Sequence, residues 1–214
     1  MPIHRVSVAA LLAPAFVVAT LLLWSAYFLN LLAVFFFSSW LPVLTSASGH
    51  TARQAIVAGA ALWAGGIAGT LSLGWAIDRY GFGRLLASTY LVATLGIVAT
   101  GYVMRVFPAA LVTISIVGFC IMGAQAALNA FAATLYPTSI RTTGMGWALG
   151  IGRLGSIAGP VIGGQLIGLR LPTETLFIAA AIPTALAMLV VLPMRPRDAM
   201  HADAAAAAAT SSPG

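Results

Sequence analysis

Six stretches of this chain run apolar for about twenty residues or more, the length needed to cross a hydrocarbon layer of ~30 Å as a helix. They extend from Phe16 to Leu44, Gln54 to Ile77, Leu85 to Met104, Pro108 to Leu135, Thr142 to Gly168 and Thr175 to Met194, separated by polar residues or by proline and glycine. Each therefore predicts a transmembrane helix. The composition agrees: 61% of the 214 residues are hydrophobic and 7% charged, where roughly a quarter of a soluble domain is charged. A mean hydropathy of +1.02 spread over most of the length cannot be hidden in one core, so lipid must solvate much of the surface. A soluble enzyme is excluded, and the expected fold class is an all-α integral membrane protein of six helices.

Short connections leave no room for a separate soluble domain. Residues 16–194 are read as one six-span domain, preceded by a cytoplasmic or surface segment at 1–15 and followed by an alanine-rich, low-complexity tail at 195–214. Ser7 to Leu44 is apolar throughout and contains Pro14, so it is either one long helix or, the preferred reading, a surface helix feeding a span. Arg5 ahead of alanines and leucines also fits a secretory signal, but no polar cleavage region follows before Trp24.

The ten basic residues, all arginine, face four acidic ones, for a net charge of +6. With both termini on one side, that side carries Arg5, Arg79, Arg84, Arg141, Arg195 and Arg197, and the other carries Arg53, Arg105 and Arg170. Positive residues favour the cytoplasmic side, which puts both termini in the cytoplasm and reads the excess as topology, not as a nucleic-acid surface. The lone cysteine, Cys120, sits in an apolar run and reads as a small buried side chain, with no disulfide or Cys/His metal site available. His4, His50 and His201 all fall outside the spans, which removes both a histidine proton relay and the serine/histidine pair of an intramembrane protease.

Between the second and third spans stands Gly74-Trp75-Ala76-Ile77-Asp78-Arg79-Tyr80-Gly81-Phe82-Gly83-Arg84. Gly74 would let a neighbouring helix approach, Asp78 could accept from N–H groups at a helix N-terminus, and Arg79 and Arg84 would hold the cytoplasmic surface. On the fifth span, Gly155, Gly159 and Gly163 recur every four residues on one helical stripe beside Pro160, which can kink the helix. The G-x-x-x-D-R-x-G-x-G-R run and the Gly/Pro stripe resemble the loop signature and fifth-helix motif of the major facilitator superfamily. Between spans four and five, Tyr136-Pro137-Thr138-Ser139-Ile140-Arg141-Thr142-Thr143-Gly144-Met145-Gly146-Trp147-Ala148-Leu149-Gly150-Ile151-Gly152-Arg153 resembles the superfamily's aromatic acid:proton symporters, the group of 4-hydroxybenzoate and protocatechuate transporters. Gly123-Ala124-Gln125 with Leu128-Asn129-Ala130, and Trp24 through Ser39-Trp40-Leu41-Pro42, are also similar to the C-terminal half of that family. The resemblance runs from about Leu12 to Gly168 and departs at Val17-Val18, where polar or basic residues would lead into the span.

That resemblance implies the C-terminal six-helix half of a twelve-helix, inner-membrane secondary transporter. Such a transporter takes up aromatic carboxylates with a proton as coupling ion and no other cofactor. The partners it implies are a small aromatic carboxylate, the bilayer, and an N-terminal six-span half or a second copy. The proton-linked carboxylates of the family lie mainly in that other half and transfer to no position here. The alternative is a truncated remnant with no transport of its own.

Arg153 carries the most weight on physical grounds. Twelve residues past Arg141, at ~1.5 Å per residue it lies near the membrane midplane. A charge there costs at least ~2.5–3.5 kcal/mol unless it meets a partner or a wet cavity. Asp78 and Glu174 sit at span ends, and Asp198 and Asp203 in the tail, so the answering charge is either in another half or on an anionic substrate held bidentately. A structural arginine bonded to backbone carbonyls is the other reading. Gln125 and Asn129, four apart, share a face of the fourth span and can orient phenolic or carboxyl oxygens, or only hold helices together. Asn30 is a weaker candidate of the same kind. Trp40 reads as substrate-binding by family context or as an interface aromatic, and Arg141 as a gate or a topological anchor. Tyr27, Phe35, Phe36 and Phe37 are expected to be lipid or core contacts.

Overall fold

The computed structural model describes residues 11–14 and 16–194, with residues 78 and 80 described for their backbone alone. Six helices follow in chain order: α1 (Val17–Ala47), α2 (Ala52–Tyr80), α3 (Phe82–Val103), α4 (Phe107–Leu135), α5 (Thr138–Gly168) and α6 (Thr173–Val191). Each matches an expected span to within a few residues, and no strand occurs among the described residues. Five of the helices are long and apolar enough to cross a membrane. The exception is α5, whose 31 residues suffice in length but include Arg141, Arg153, Gln165 and a run of glycines. The surface helix expected ahead of the first span falls mostly outside the described residues, as does the tail. The described part, residues 11–14, is turn, with Leu11 buried.

Local chemistry sets the boundaries. Thr51 accepts from the Gln54 backbone N–H while the Gln54 side chain takes the Thr51 N–H, a reciprocal cap that starts α2. Gly81 alone separates α2 from α3, at φ 79°, a left-handed conformation that an L side chain rarely adopts. Pro108 occupies the first turn of α4, where a missing N–H is harmless. Asp78 falls in the last turn of α2, and its side chain lies outside the described ones.

Two helix pairs come together backbone against backbone. Along α5, Gly155 and Gly159 lie against the Phe28 and Leu32 carbonyls of α1, and Gly163 against the Trp40 ring. This is the stripe expected from the sequence. A second seam, which the sequence reading does not single out, joins α2 to α4. There Gly65 and Gly69 meet the Ser115 and Phe119 carbonyls, and Gly118 meets the Leu62 carbonyl. The pairing of α1 with α5 mirrors that of α4 with α2, while α3 packs on α6, the arrangement of two three-helix repeats of opposite direction. The row α5–α1–α4–α2 forms one layer, backed on one side by α3 and α6. Without a hydrophobic drive between helices in lipid, such close approach is what van der Waals attraction requires.

Gly74 is exposed, and a Cβ on it would meet nothing within 4 Å; among the described residues no helix approaches it closely, and α4 lies along the Gly65–Gly69 face of α2 instead.

The seams make a direct prediction. At Gly159 a Cβ would lie 2.6 Å from the Leu32 carbonyl oxygen and 3.0 Å from the Phe36 nitrogen, so Gly159→Leu must push α1 and α5 apart. The expected loss is about 1–3 kcal/mol or more, read as a lowered unfolding midpoint in detergent, while Gly74→Leu shifts it by less than about 0.5 kcal/mol.

Candidate functional site

Apolar packing in the bundle divides into two clusters. One holds Leu23, Tyr27, Tyr90, Leu128 and Phe131; the other holds Phe36, Phe37, Ile97, Ile114 and Ile121. Between them lies a polar layer. Asn30 on α1 stands between Tyr27 of the first cluster and Val34 of the second, and Gln125 on α4 stands between Ile121 of the second and Leu128 of the first.

The layer is one continuous hydrogen-bonded chain across three helices. The Tyr90 hydroxyl of α3 donates to Asn30 Oδ1 at 2.9 Å. Asn30 Nδ2 donates to Gln125 Oε1 at 2.9 Å, and Gln125 Nε2 donates to Asn129 Oδ1 at 3.3 Å. The Tyr27 hydroxyl of α1 donates to the same Asn129 oxygen at 2.7 Å. Burial grades along the chain: Tyr27, Tyr90 and Asn30 are fully buried, Gln125 is half-buried and Asn129 is exposed. The polar layer thus begins inside the protein and surfaces on α4.

Where it surfaces there is a groove of about 430 Å³ between α1, α2 and α4, lined by Gln125 and Asn129 together with Leu31, Trp63, Ile67 and Met122. This size falls in the range of small-molecule sites. Its walls are apolar apart from the two amides and the Thr70 hydroxyl.

Arg153 sits in the middle of α5 and is exposed. A Cβ on its neighbour Gly152 would lie 2.7 Å from Leu31 Cδ1 and 3.4 Å from the Tyr27 Cβ. Arg153 is therefore at the level of Tyr27 and Leu31, the same level as the Asn129 amide and the groove. Its direction follows from helical geometry. Ile151 shares a groove with Leu186 and Val190 of α6, and at ~100° per residue Arg153 points about 200° round from Ile151. It thus stands on the flank of α5 away from α6, the flank on which the row α5–α1–α4–α2 is uncovered. Among the described side chains the one carboxylate, Glu174, lies in the first turn of α6.

Three of the five residues expected to bind substrate, Asn30, Gln125 and Asn129, come together, though Asn30 is fully buried behind Gln125. Arg153 shares their depth from another helix. Trp40 stands apart: its indole N–H donates to the Pro160 carbonyl at 2.9 Å, and its ring covers Gly163 and Gly164, so it fastens α1 onto the proline of α5. Arg141 donates through Nε to the Tyr136 carbonyl at 3.4 Å, and the Tyr136 hydroxyl reaches Thr20 Oγ1 at 3.1 Å, tying the α4–α5 turn to the start of α1. In the loop motif, Arg79 lies 6.0 Å over the Trp75 ring, and Arg84 is exposed. The tyrosines were missed as polar partners: Tyr27, expected to be a plain packing residue, and Tyr90, not singled out at all. Both occur within spans, where a phenol must find an acceptor.

The chain matches the family described as Major Facilitator Superfamily over residues 23–212. It is 36% identical over 189 residues to a gallate transporter of Pseudomonas putida, covering 88% of this chain and 42% of that one. It is 39% identical over 173 residues to the 4-hydroxybenzoate transporter PcaK of the same organism, covering 81% and 39%. To the 3-(3-hydroxy-phenyl)propionate transporter of Escherichia coli it is 34% identical over 198 residues, covering 91% and 49%. The chain thus spans less than half the length of these relatives. With so much of its own length matched, on helices that pair as two three-helix repeats, the chain belongs to the major facilitator superfamily, a multi-pass membrane protein corresponding to one half of that fold.

Proposed function

We propose that this chain is the C-terminal half of a proton-coupled importer of aromatic carboxylates such as 4-hydroxybenzoate, working by alternating access in the cytoplasmic inner membrane with both termini in the cytoplasm. A complementary six-helix half, facing the uncovered side of the row α5–α1–α4–α2, would complete the site between repeats near the midplane. The orientation follows the six-to-three arginine asymmetry of the sequence.

The observation that carries this reading is the placement of Arg153 on the uncovered flank at the depth of the amide pair. A guanidinium there suits a carboxylate through two parallel N–H···O bonds, while Asn129 and Gln125 would take the oxygen at the other end of the ring. The relatives named for gallate, 4-hydroxybenzoate and hydroxyphenylpropionate support a carboxylate on an oxygenated ring as the class of cargo. Proton coupling rests on the family resemblance; the carboxylate that would carry it belongs to the complementary half.

Two outcomes are expected in proteoliposomes holding the chain and its complementary half. Uptake of labelled 4-hydroxybenzoate should rise under an inward proton gradient and vanish with a protonophore; uptake indifferent to the gradient would remove the coupling. Arg153→Ala should weaken apparent affinity by about tenfold to a hundredfold, the equivalent of a charged hydrogen bond of ~1.5–3 kcal/mol, and Arg153→Lys should restore part of it. Undiminished uptake by Arg153→Ala would refute the clamp, and no uptake in either the presence or absence of the complementary half would refute transport.

A further inference from the structure

We propose that the hydrogen-bonded chain from Tyr90 to Asn129 is a polarity relay: it fixes the Asn129 amide so that only N–H donors face the groove, and Tyr90 and Asn30 thereby set ligand preference without touching the ligand. The ligand preference rests on the substrate reading of the groove given above; the relay itself does not.

The direction of the chain follows from what each member can do. Asn129 Oδ1 receives two donors, the Tyr27 hydroxyl and Gln125 Nε2, which uses both of its lone pairs. Both N–H bonds of Asn129 Nδ2 are left for the groove, where the residue is exposed. Turning the Asn129 amide over would set its N–H groups against the N–H groups of Gln125. Relief would require Gln125 to turn as well, then Asn30, and finally Tyr90 and Tyr27 would have to accept instead of donate. Both tyrosines are fully buried, and among the described residues neither hydroxyl has another acceptor. Their two protons would be stranded in a hydrocarbon setting without water, the situation that membrane proteins avoid. One orientation therefore holds throughout, and its anchor is Tyr90, two hydrogen bonds behind the Gln125 side chain that lines the groove.

The consequence is chemical. A ligand atom resting on Asn129 must accept: a carboxylate, phenolic or ether oxygen fits, and an aromatic amine, which presents N–H groups and a poorly basic lone pair, does not. Because an amine and a hydroxyl are nearly the same size, the discrimination is by hydrogen-bond polarity and not by shape.

The sequence offers an unusually clean test, since Asn30 and Asn129 are the only asparagines in the chain. In the full chain labelled with 15N-asparagine and held in lipid nanodiscs, two side-chain amides account for all Nδ2 signals. Tyr90→Phe should displace or broaden the Asn129 pair as well as the Asn30 pair, although Tyr90 bonds only Asn30. Movement of the Asn30 pair alone would overturn the relay. Should Tyr90→Phe fail to fold, Tyr27→Phe supplies the second measurement, because it frees one lone pair of Asn129 Oδ1 and its effect should travel through Gln125 to the Asn30 pair; an unmoved Asn30 pair there would equally overturn it. For the ligand, the same spectra are followed with 4-hydroxybenzoate and 4-aminobenzoate, the complementary half being present. The parent should prefer the hydroxy acid by about fivefold or more, the worth of one hydrogen bond, and Tyr90→Phe should narrow the ratio to within about twofold. An unchanged ratio would overturn the specificity role. If neither acid binds, the substrate reading falls, while the asparagine signals still decide the relay.

Discussion

A polar group inside a hydrocarbon solvent has nowhere to turn except to the protein, and the layer through Tyr90, Asn30, Gln125 and Asn129 is how this bundle meets that demand. The layer crosses α3, α1 and α4 and divides the packing into two apolar clusters. Registration of the three helices follows from it. A shift of α4 along α1 by one turn, ~5.4 Å, would part Gln125 from Asn30 and Asn129 from Tyr27 together. Each hydrogen bond within membrane protein is modest, averaging about 0.6 kcal/mol, so the layer's weight lies less in total stability than in favouring one register.

Around that layer the fold is a matter of how close backbones can come. The seams at Gly155–Gly159 and at Gly65–Gly69 set carbonyl oxygens against bare Cα atoms, and Trp40 adds an indole bond to the carbonyl of Pro160. These contacts settle which helices are neighbours, whereas the amides and phenols settle their height. The two kinds of constraint are complementary, since the seams fix which backbones touch and the hydrogen bonds fix the register between them.

Much of this was legible in the sequence. The spans could be read because apolar runs of that length have few alternatives, and the α5 stripe because Gly155, Gly159 and Gly163 recur at helical spacing. Asn129 and Gln125 were marked by being amides in apolar surroundings, and the structure joins them to Asn30. What escaped was pairwise. Nothing in the run around Gly65 and Gly69 says that α4 is their partner, and Gly74, with the same local appearance, meets no helix among the described residues. Tyr27 and Tyr90 were hidden because tyrosine serves equally as a ring to pack and a hydroxyl to bond; only the fold shows that both are sealed from solvent and bonded to amides. Arg153 was found from its depth, but the direction it points could be read only once Ile151 was seen beside α6.

The backbone-on-backbone seams have one more consequence, for motion. Side chains can change rotamer and so let two helices slide or flex; a carbonyl resting on a glycine Cα has no such freedom to give. The α1–α5 and α2–α4 pairs are thus stiff plates, and each moves as one unit in any rearrangement of the bundle.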